Sequence, residues 1–292
     1  MENSKKGINV LSLFDGMSCG QIALERAGIK VDNYFASEIK KHAIDVTQYN
    51  YPGTVQLGDV TKLDTSTLPK IDLLLGGSPC QDLSQANMDR KGLDGDKSCL
   101  FWEYVRILKE VKPRYFLLEN VEMPFEDKKI ITDTLGVQPV NINSNLVSAQ
   151  NRNRWYWTNI NGTGKNLFRD TYIEQPIDKN IKLQDILENG YTDLIKARCL
   201  NTRDGASKRN IDSMWHRYLT TGMITVIFNS QDFDYKKGLR NFTQKEYEIL
   251  QTVPIGYTND LSANKAKDVL GDGWTVDVIV HILKGIKEAN NG

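Results

Sequence analysis

No apolar run in this 292-residue chain is long enough to cross a bilayer. The opening MENSKKG lacks the order of a secretory leader, so an intracellular protein with no membrane partner is expected. Cysteine is scarce. Cys19, Cys80, Cys99 and Cys199 are the only four, with no CxxC spacing and no histidine close by. That pattern argues against zinc and, in a reducing compartment, against disulfides, so no metal is expected. Excess charge is missing too, because 37 Lys and Arg balance 37 Asp and Glu. A nucleic-acid partner would therefore require positive charge concentrated in one place. GxGxxG is absent, which disfavours a nicotinamide-dependent oxidoreductase. No internal repeat or low-complexity stretch is present. What remains is 40% hydrophobic and 25% charged, a soluble composition in a chain long enough for one large domain or two smaller ones.

The chain is organised around IDLLLGGSPCQDLS, residues 71–84. Ile71, Leu73, Leu74 and Leu75 read as a buried strand, Gly76 and Gly77 end it, and Ser78-Pro79-Cys80-Gln81 follows at its tip. Ligand chemistry in open α/β sheets collects past the carboxyl ends of strands. Pro79 fixes φ just before Cys80, which would present a nucleophilic sulfur. Taken alone, Cys80 reads equally well as a small buried hydrophobe.

Three earlier strand ends carry acids. INVLSLF (8–14) runs into Asp15-Gly16-Met17-Ser18-Cys19-Gly20 and a helix, the opening of a nucleotide-binding βαβ unit. Phe14 and Asp15 stand where a dinucleotide fold brings glycine to a pyrophosphate. A ligand with an adenosine and no phosphate fits better, and S-adenosyl-L-methionine is one: backbone N–H groups could meet its carboxylate and an acid its ammonium. An ordinary strand-turn-helix is the bland alternative. Glu38 ends the next strand (Tyr34–Ala36), placed to hold both ribose hydroxyls, with an exposed charge starting the next helix as the plainer alternative. Asp59 follows a short third strand (Val55–Leu57), placed to accept from an adenine amino group.

Residues 85–98 form a long polar stretch suited to a lid. Helical spacing covers 100–111, and Lys112-Pro113-Arg114 stops it. Tyr115–Leu118 reads as a fifth strand delivering Glu119-Asn120-Val121, where Glu119 could serve as a hydrogen-bonding acid. A helix (DKKIITDTLG) and two strands, about 138–142 and 155–159, come next. Between them Arg152 and Arg154, two apart on an extended segment, point the same way and could clamp a phosphate or a carbonyl oxygen. A solvated basic loop is the simpler alternative. Residues 160–239 are polar, with weak periodicity, and interleave Lys and Arg with Trp215, His216 and Tyr218. They suggest a small second domain with a basic face for duplex phosphates, or a merely solvated subdomain. Arg240–Thr243 cap a helix stopped by Pro254, and an amphipathic helix closes the chain behind Gly271, Asp272, Gly273 and Trp274.

Together these pieces resemble the DNA cytosine-5 methyltransferases over nearly the whole length. FDGMSCG (14–20), SE (37–38), GDV (58–60), GGSPCQDLS (76–84), ENV (119–121), QNRNR (150–154), RNFTQKEYEILQTVP (240–254) and GDGWTVDV (271–278) occur in family order. In detail they are most similar to the eukaryotic de novo enzymes, whereas the single-module size is that of a bacterial or phage enzyme. Gln244-Lys245 and Asp272 depart from the family pattern without removing a reacting group.

The resemblance implies a doubly wound, mostly parallel α/β sheet of the Rossmann-like methyltransferase type, its last strand antiparallel, with a smaller target-recognition domain. The implied division is 1–159 catalytic, 160–239 target recognition and 240–292 completing the catalytic domain. It implies S-adenosyl-L-methionine as cofactor, held by Phe14, Asp15, Gly16, Met17, Ser18, Cys19, Gly20, Glu38, Asp59, Val60, Asp272, Gly273 and Trp274. It implies Cys80 as nucleophile, Glu119 on ring nitrogen 3 and the amino group, and Arg154 on the base carbonyl. Arg152 would fix the loop or a phosphate, and Asn120 would brace Pro79-Cys80. The implied partners are double-stranded DNA and a cognate restriction endonuclease, for a monomer in the cytoplasm of a bacterial or phage-infected cell, or in the nucleus of a eukaryote. A transfer-RNA cytosine-5 methyltransferase is the nearest rival, and a non-catalytic DNA-binding homologue the more distant one.

Overall fold

Short apolar runs punctuated by Gly, Pro and Asp fold as alternating strands and helices. The computed structural model describes residues 6–78, 99–161, 173–200 and 210–291. Contacts divide the chain into two units. The first takes Met1–Ile142, Asn153–Gln175 and Ile279–Gly292, and the second Asn143–Arg152 and Pro176–Val278.

In the first unit β1 (Ile8–Leu13) leads to α1 (Cys19–Arg26), β2 (Val31–Ser37) to α2 (Lys41–Asn50), then to β3 (Val55–Gln56). β4 (Leu73–Gly77), α3 (Cys99–Val111), β5 (Tyr115–Asn120), α4 (Phe125–Leu135), β6 (Val140–Asn143) and β7 (Asn153–Thr158) follow. The strand order is β3-β2-β1-β4-β5-β7-β6. β1 runs parallel to β2 and β4, β2 to β3, and β4 to β5, whereas β7 is antiparallel to β5. This is the doubly wound sheet with a reversed late strand that the motifs imply. All six residues of β5 are buried, as continuous apolar runs in covered parallel sheets require. Leu74, Phe101, Tyr104, Phe116, Leu118 and Trp157 share its core.

Strand order reverses at β1, so a ligand crevice opens past the carboxyl ends of β1 and β4. Register sets the level: Leu13 pairs with Ser37 and with Gly76, and Gly77 pairs with Glu119. The loop after Leu13, Glu38, Ser78 and Glu119 therefore share one sheet edge.

Gly76 and Gly77 do not end the strand as expected; they are its last paired residues. Packing explains Gly76, because a Cβ there would meet the Tyr104 ring at 2.7 Å. Gly285 of α9 (Val276–Asn291) plays a similar part, since a side chain there would collide with Asn161.

The second unit is smaller, and among its described residues helix outweighs strand. It contains α5 (Leu183–Ile186), α6 (Ile211–Thr221), a two-stranded β8 (Ile227–Phe228)–β9 (Leu239–Arg240) sheet, α7 (Gln244–Leu250) and α8 (Ala263–Asp272). Its core joins Met214, Tyr218, Ile224, Val226 and Phe228. Trp215 stacks between Tyr218 and Tyr235, with centroids at 5.5 and 5.0 Å, and Arg198 lies 4.4 Å over the Tyr218 ring. α6 lies where the sequence suggested only weak periodicity. Its ends were nonetheless marked, by Asn210 accepting from Ser213 N–H and by left-handed Gly222.

The expected division at 160, 239 and 240 is not where the contacts divide the chain. Residues 240–278 group with 176–239, and only 279–292 return to the first unit. The reason is local. Arg240 pairs with buried Glu246 and reaches Asn189, while Gln150 and Ser148 bond the Leu250 carbonyl, so both flanks of the expected junction are tied to each other.

Gly76→Ala should cost about 1–3 kcal/mol by overpacking Tyr104. Urea unfolding checks this, with an unchanged m-value expected.

Candidate active site

The loop after β1 is bent by three alternating left-handed residues, Phe14 (φ 55°), Gly16 (φ 59°) and Ser18 (φ 62°). Alternation of this kind makes a concave array of backbone N–H groups, which suits anions. Such a conformation is costly for phenylalanine and needs outside support. Glu38 supplies part of it, as Oε2 accepts from Gly16 N–H at 2.8 Å and Oε1 from Ile39 and Lys40 N–H at 2.8 Å each. Asp15 N–H also donates to the Ser37 carbonyl at 3.2 Å.

Asp15 is committed inward. Oδ1 accepts from the Tyr34 hydroxyl at 2.7 Å and Oδ2 from the Ser18 hydroxyl. Burial raises its pKa to about 6, against the lowering effect of hydrogen bonds from Ser12, Ser18 and Tyr34. Asp15 thus ties the loop together, where the sequence suggested an acceptor for a ligand ammonium. Asp59 caps the turn Val60–Lys62: Oδ1 accepts from Thr61 N–H (3.0 Å) and Oγ1 (2.8 Å), which holds its carboxyl below the ordinary range. Val60 is buried beside it, and Met17, Ser18, Cys19 and Gly20 are buried at the loop's end.

At the other side of the crevice Glu119 and Asn120 are the last residues of β5 and both are buried. Arg154 Nε meets Glu119 Oε1 at 2.9 Å. Asn120 Nδ2 donates to Ser78 Oγ at 3.1 Å, and Asn120 Oδ1 accepts from Val121 N–H at 2.8 Å. Asn120 therefore braces the residue immediately before Pro79. Pro79 and Cys80 lie outside the described residues, as does the expected lid.

Arg152 and Arg154 do not act as a pair, contrary to the i, i+2 expectation. β7 begins at Asn153, so strand alternation does not reach Arg152. Arg152 is 6% exposed, and its guanidinium donates to the carbonyls of Leu200 (3.3 Å), Gly271 (3.3 Å) and Gly273 (3.0 Å) and contacts Cys199 Sγ at 3.5 Å. Those contacts occupy it in fixing backbone of the second unit rather than a phosphate. Gly273 belongs to that cluster, with exposed Asp272 and half-buried Trp274 on either side. Gln150, quoted in the sequence only as part of QNRNR and given no role there, is a hub: its Nε2 donates to the Leu250 carbonyl and Gln251 Oε1 while Oε1 accepts from Leu200 N–H. Sequence reasoning also gave no role to Tyr34, whose signal was its place in a strand with buried Ala36 and Ser37.

A model of the C-5 cytosine-specific DNA methylase family matches residues 8–288. The chain belongs to that family. Among relatives of this methylase, the Type II methyltransferase M1.ScrFI of Lactococcus lactis subsp. cremoris is 33% identical, over 98% of this chain and 80% of its own. The Type II methyltransferase M.NgoBV of Neisseria gonorrhoeae is 34% identical over 63% of this chain, which spans 47%, about half, of that relative. The fold matches a crystal structure of the Dnmt2 methyltransferase of S. pombe, with a TM-score of 0.72 at 19% identity over 98% of this chain and all of the other. The sheet order is thus that of a methylase fold, and among the described residues no helix is long and apolar enough to cross a membrane.

Arg152→Lys retains the charge but cannot span the carbonyl set, and should lose about 2–3 kcal/mol of stability as buried acceptors go unpaired. Chemical denaturation checks it. An unchanged midpoint would argue for a ligand-facing role instead.

Proposed function

We propose that this methylase transfers a methyl group from S-adenosyl-L-methionine to carbon 5 of a cytosine flipped out of double-stranded DNA, through a transient bond to Cys80. The observation that carries this reading is the Glu119–Arg154 ion pair, level with the end of the strand that leads to Ser78-Pro79-Cys80. The residues present suit the cofactor: an anion-binding turn at 14–18 for a carboxylate, Glu38 with one acceptor site beyond its three backbone bonds for a ribose hydroxyl, and Asp59 Oδ2 outside the Thr61 cap for an amino group. When bound, it supplies an electrophilic methyl group on a sulfonium. Asp272, Gly273 and Trp274 are assigned to the same cofactor by family resemblance alone.

Cytosine carbon 5 is a weak nucleophile until sulfur adds at carbon 6. Cys80 forms that bond. Glu119 hydrogen-bonds ring nitrogen 3 and the exocyclic amino group, where charge changes as sulfur adds. Arg154 holds Glu119 and faces the base carbonyl. Asn120, through Ser78, orients the turn that carries the nucleophile. After carbon 5 is methylated, loss of its proton to a base and departure of the Cys80 sulfur restore the aromatic ring. A base in a duplex hides these atoms, so flipping costs roughly a few kcal/mol that protein contacts must offset. The second unit, with its lysines, arginines and aromatic stack, is the proposed duplex-recognition unit. The names of the Type II relatives support a cognate restriction endonuclease as partner, and a cytoplasmic monomer fits both assignments.

Labelled S-adenosyl-L-methionine incubated with duplex DNA or with tRNA tests the substrate. Label in DNA is expected, and label in tRNA alone would replace this reading with the RNA enzyme. Cys80→Ala should lower turnover by about a thousandfold or more while cofactor binding persists. Duplex DNA with 5-fluorocytosine at the target should trap a covalent adduct, visible as a denaturation-resistant gel shift, because no proton can leave carbon 5.

A further inference from the structure

Tyr34 belongs to no motif of the family pattern quoted above, yet it stands under the loop that follows β1. Its phenol is 4% exposed and donates to Asp15 Oδ1 at 2.7 Å. Asp15 Oδ2 accepts from Ser18 Oγ, which also accepts from Gln21 Nε2 at 3.1 Å, and that amide donates to Thr54 Oγ1 at 2.8 Å. A continuous polar chain therefore runs from β2 through the loop into α1 and on to the segment before β3. It crosses the loop where Phe14, Gly16 and Ser18 are left-handed, a conformation that persists only if its surroundings enforce it. Gly20 makes room for this arrangement, since a Cβ there would lie 2.7 Å from the Tyr34 hydroxyl and push it off.

We propose that Tyr34 is a positioning residue for cofactor binding: its phenol locks the Asp15 carboxylate, and through it the left-handed turn that receives the methyl donor. This rests on the cofactor reading above. Asp15 acts from beneath the loop, with both oxygens occupied by hydroxyls, and keeps one negative charge under the site. The other titratable groups facing it are Tyr34 from β2 and Glu38 from the β2–α2 junction. Burial raises Asp15 to about 6, so the carboxylate is present above that pH and lost below it. The hydroxyl of Tyr34 favours the charged form, so its removal should move the transition upward.

The test is calorimetric binding of S-adenosyl-L-methionine and of S-adenosylhomocysteine between about pH 5 and 7, a range below the ordinary titration of an α-amino group. Wild type, Tyr34→Phe and Asp15→Asn are compared, each with its thermal midpoint. Wild-type affinity for the cationic cofactor should fall as pH drops through about 6. The uncharged-sulfur product should respond less. Tyr34→Phe should weaken cofactor binding about tenfold at neutral pH, the size of one hydrogen bond to a charged group, raise its KM more than it lowers kcat, and shift the pH midpoint upward. Asp15→Asn should bind weakly with a flat profile. Wild-type affinity and midpoint in Tyr34→Phe would overturn the inference, as would a lowered thermal midpoint with affinity intact. Should Tyr34→Phe fail to fold, the comparison of wild type with Asp15→Asn decides, and the same pH dependence in both refutes the inference. If wild type binds neither ligand at any pH, the cofactor reading itself fails and the inference falls with it.

Discussion

The ion pair between Glu119 and Arg154 depends on one topological fact, the reversal of β7. In a parallel sheet only strand ends reach the carboxyl edge. An antiparallel neighbour brings its beginning there instead. β5 ends at Asn120 and β7 starts at Asn153, with Asn120 opposite Trp155 and Glu119 opposite Tyr156. Arg154 is then the diagonal neighbour of Glu119, within reach of a long side chain. The carboxylate at the active edge consequently has a guanidinium beside it, supplied from a segment 35 residues away in sequence with no loop needed to carry it. Partly buried charges are costly unless paired, so the two side chains fix each other's direction.

The same edge shows a division of labour among its acids. Glu38 spends three acceptor sites on backbone N–H groups, Asp59 spends one oxygen on a cap, and Asp15 spends both on hydroxyls. Each first holds its own loop in shape. Preorganisation of this kind lowers what a ligand must contribute to order the site. Arg152 does comparable work in the second unit, where its single guanidinium gathers carbonyls from residues 200, 271 and 273.

The sheet was legible because its strands are short apolar runs with punctuation at each end, and eight motif pieces in family order fixed the class. Strand limits were less legible. Gly76 and Gly77 look like a stop signal, yet they are paired because Tyr104 fills the space that a side chain would need. α6 was hidden because only Met214 and Tyr218 of its residues are buried, so most of its surface shows no apolar period. Residues 240–278 group by contacts with 176–239, although Arg240–Thr243 look like the start of a new segment, because Arg240 is bound back to Asn189.

Composition and order determined the class of fold, the strand ends that carry acids, and the position of Cys80 after the fourth strand, because these follow from local periodicity and from spacing along the chain. Which groups each acid is already bonded to, which arginine meets Glu119 and which is consumed by carbonyls, and the part played by Tyr34 were decided only in three dimensions. Hydrogen-bonding capacity is finite, and only the folded arrangement says which donors reach a given oxygen first.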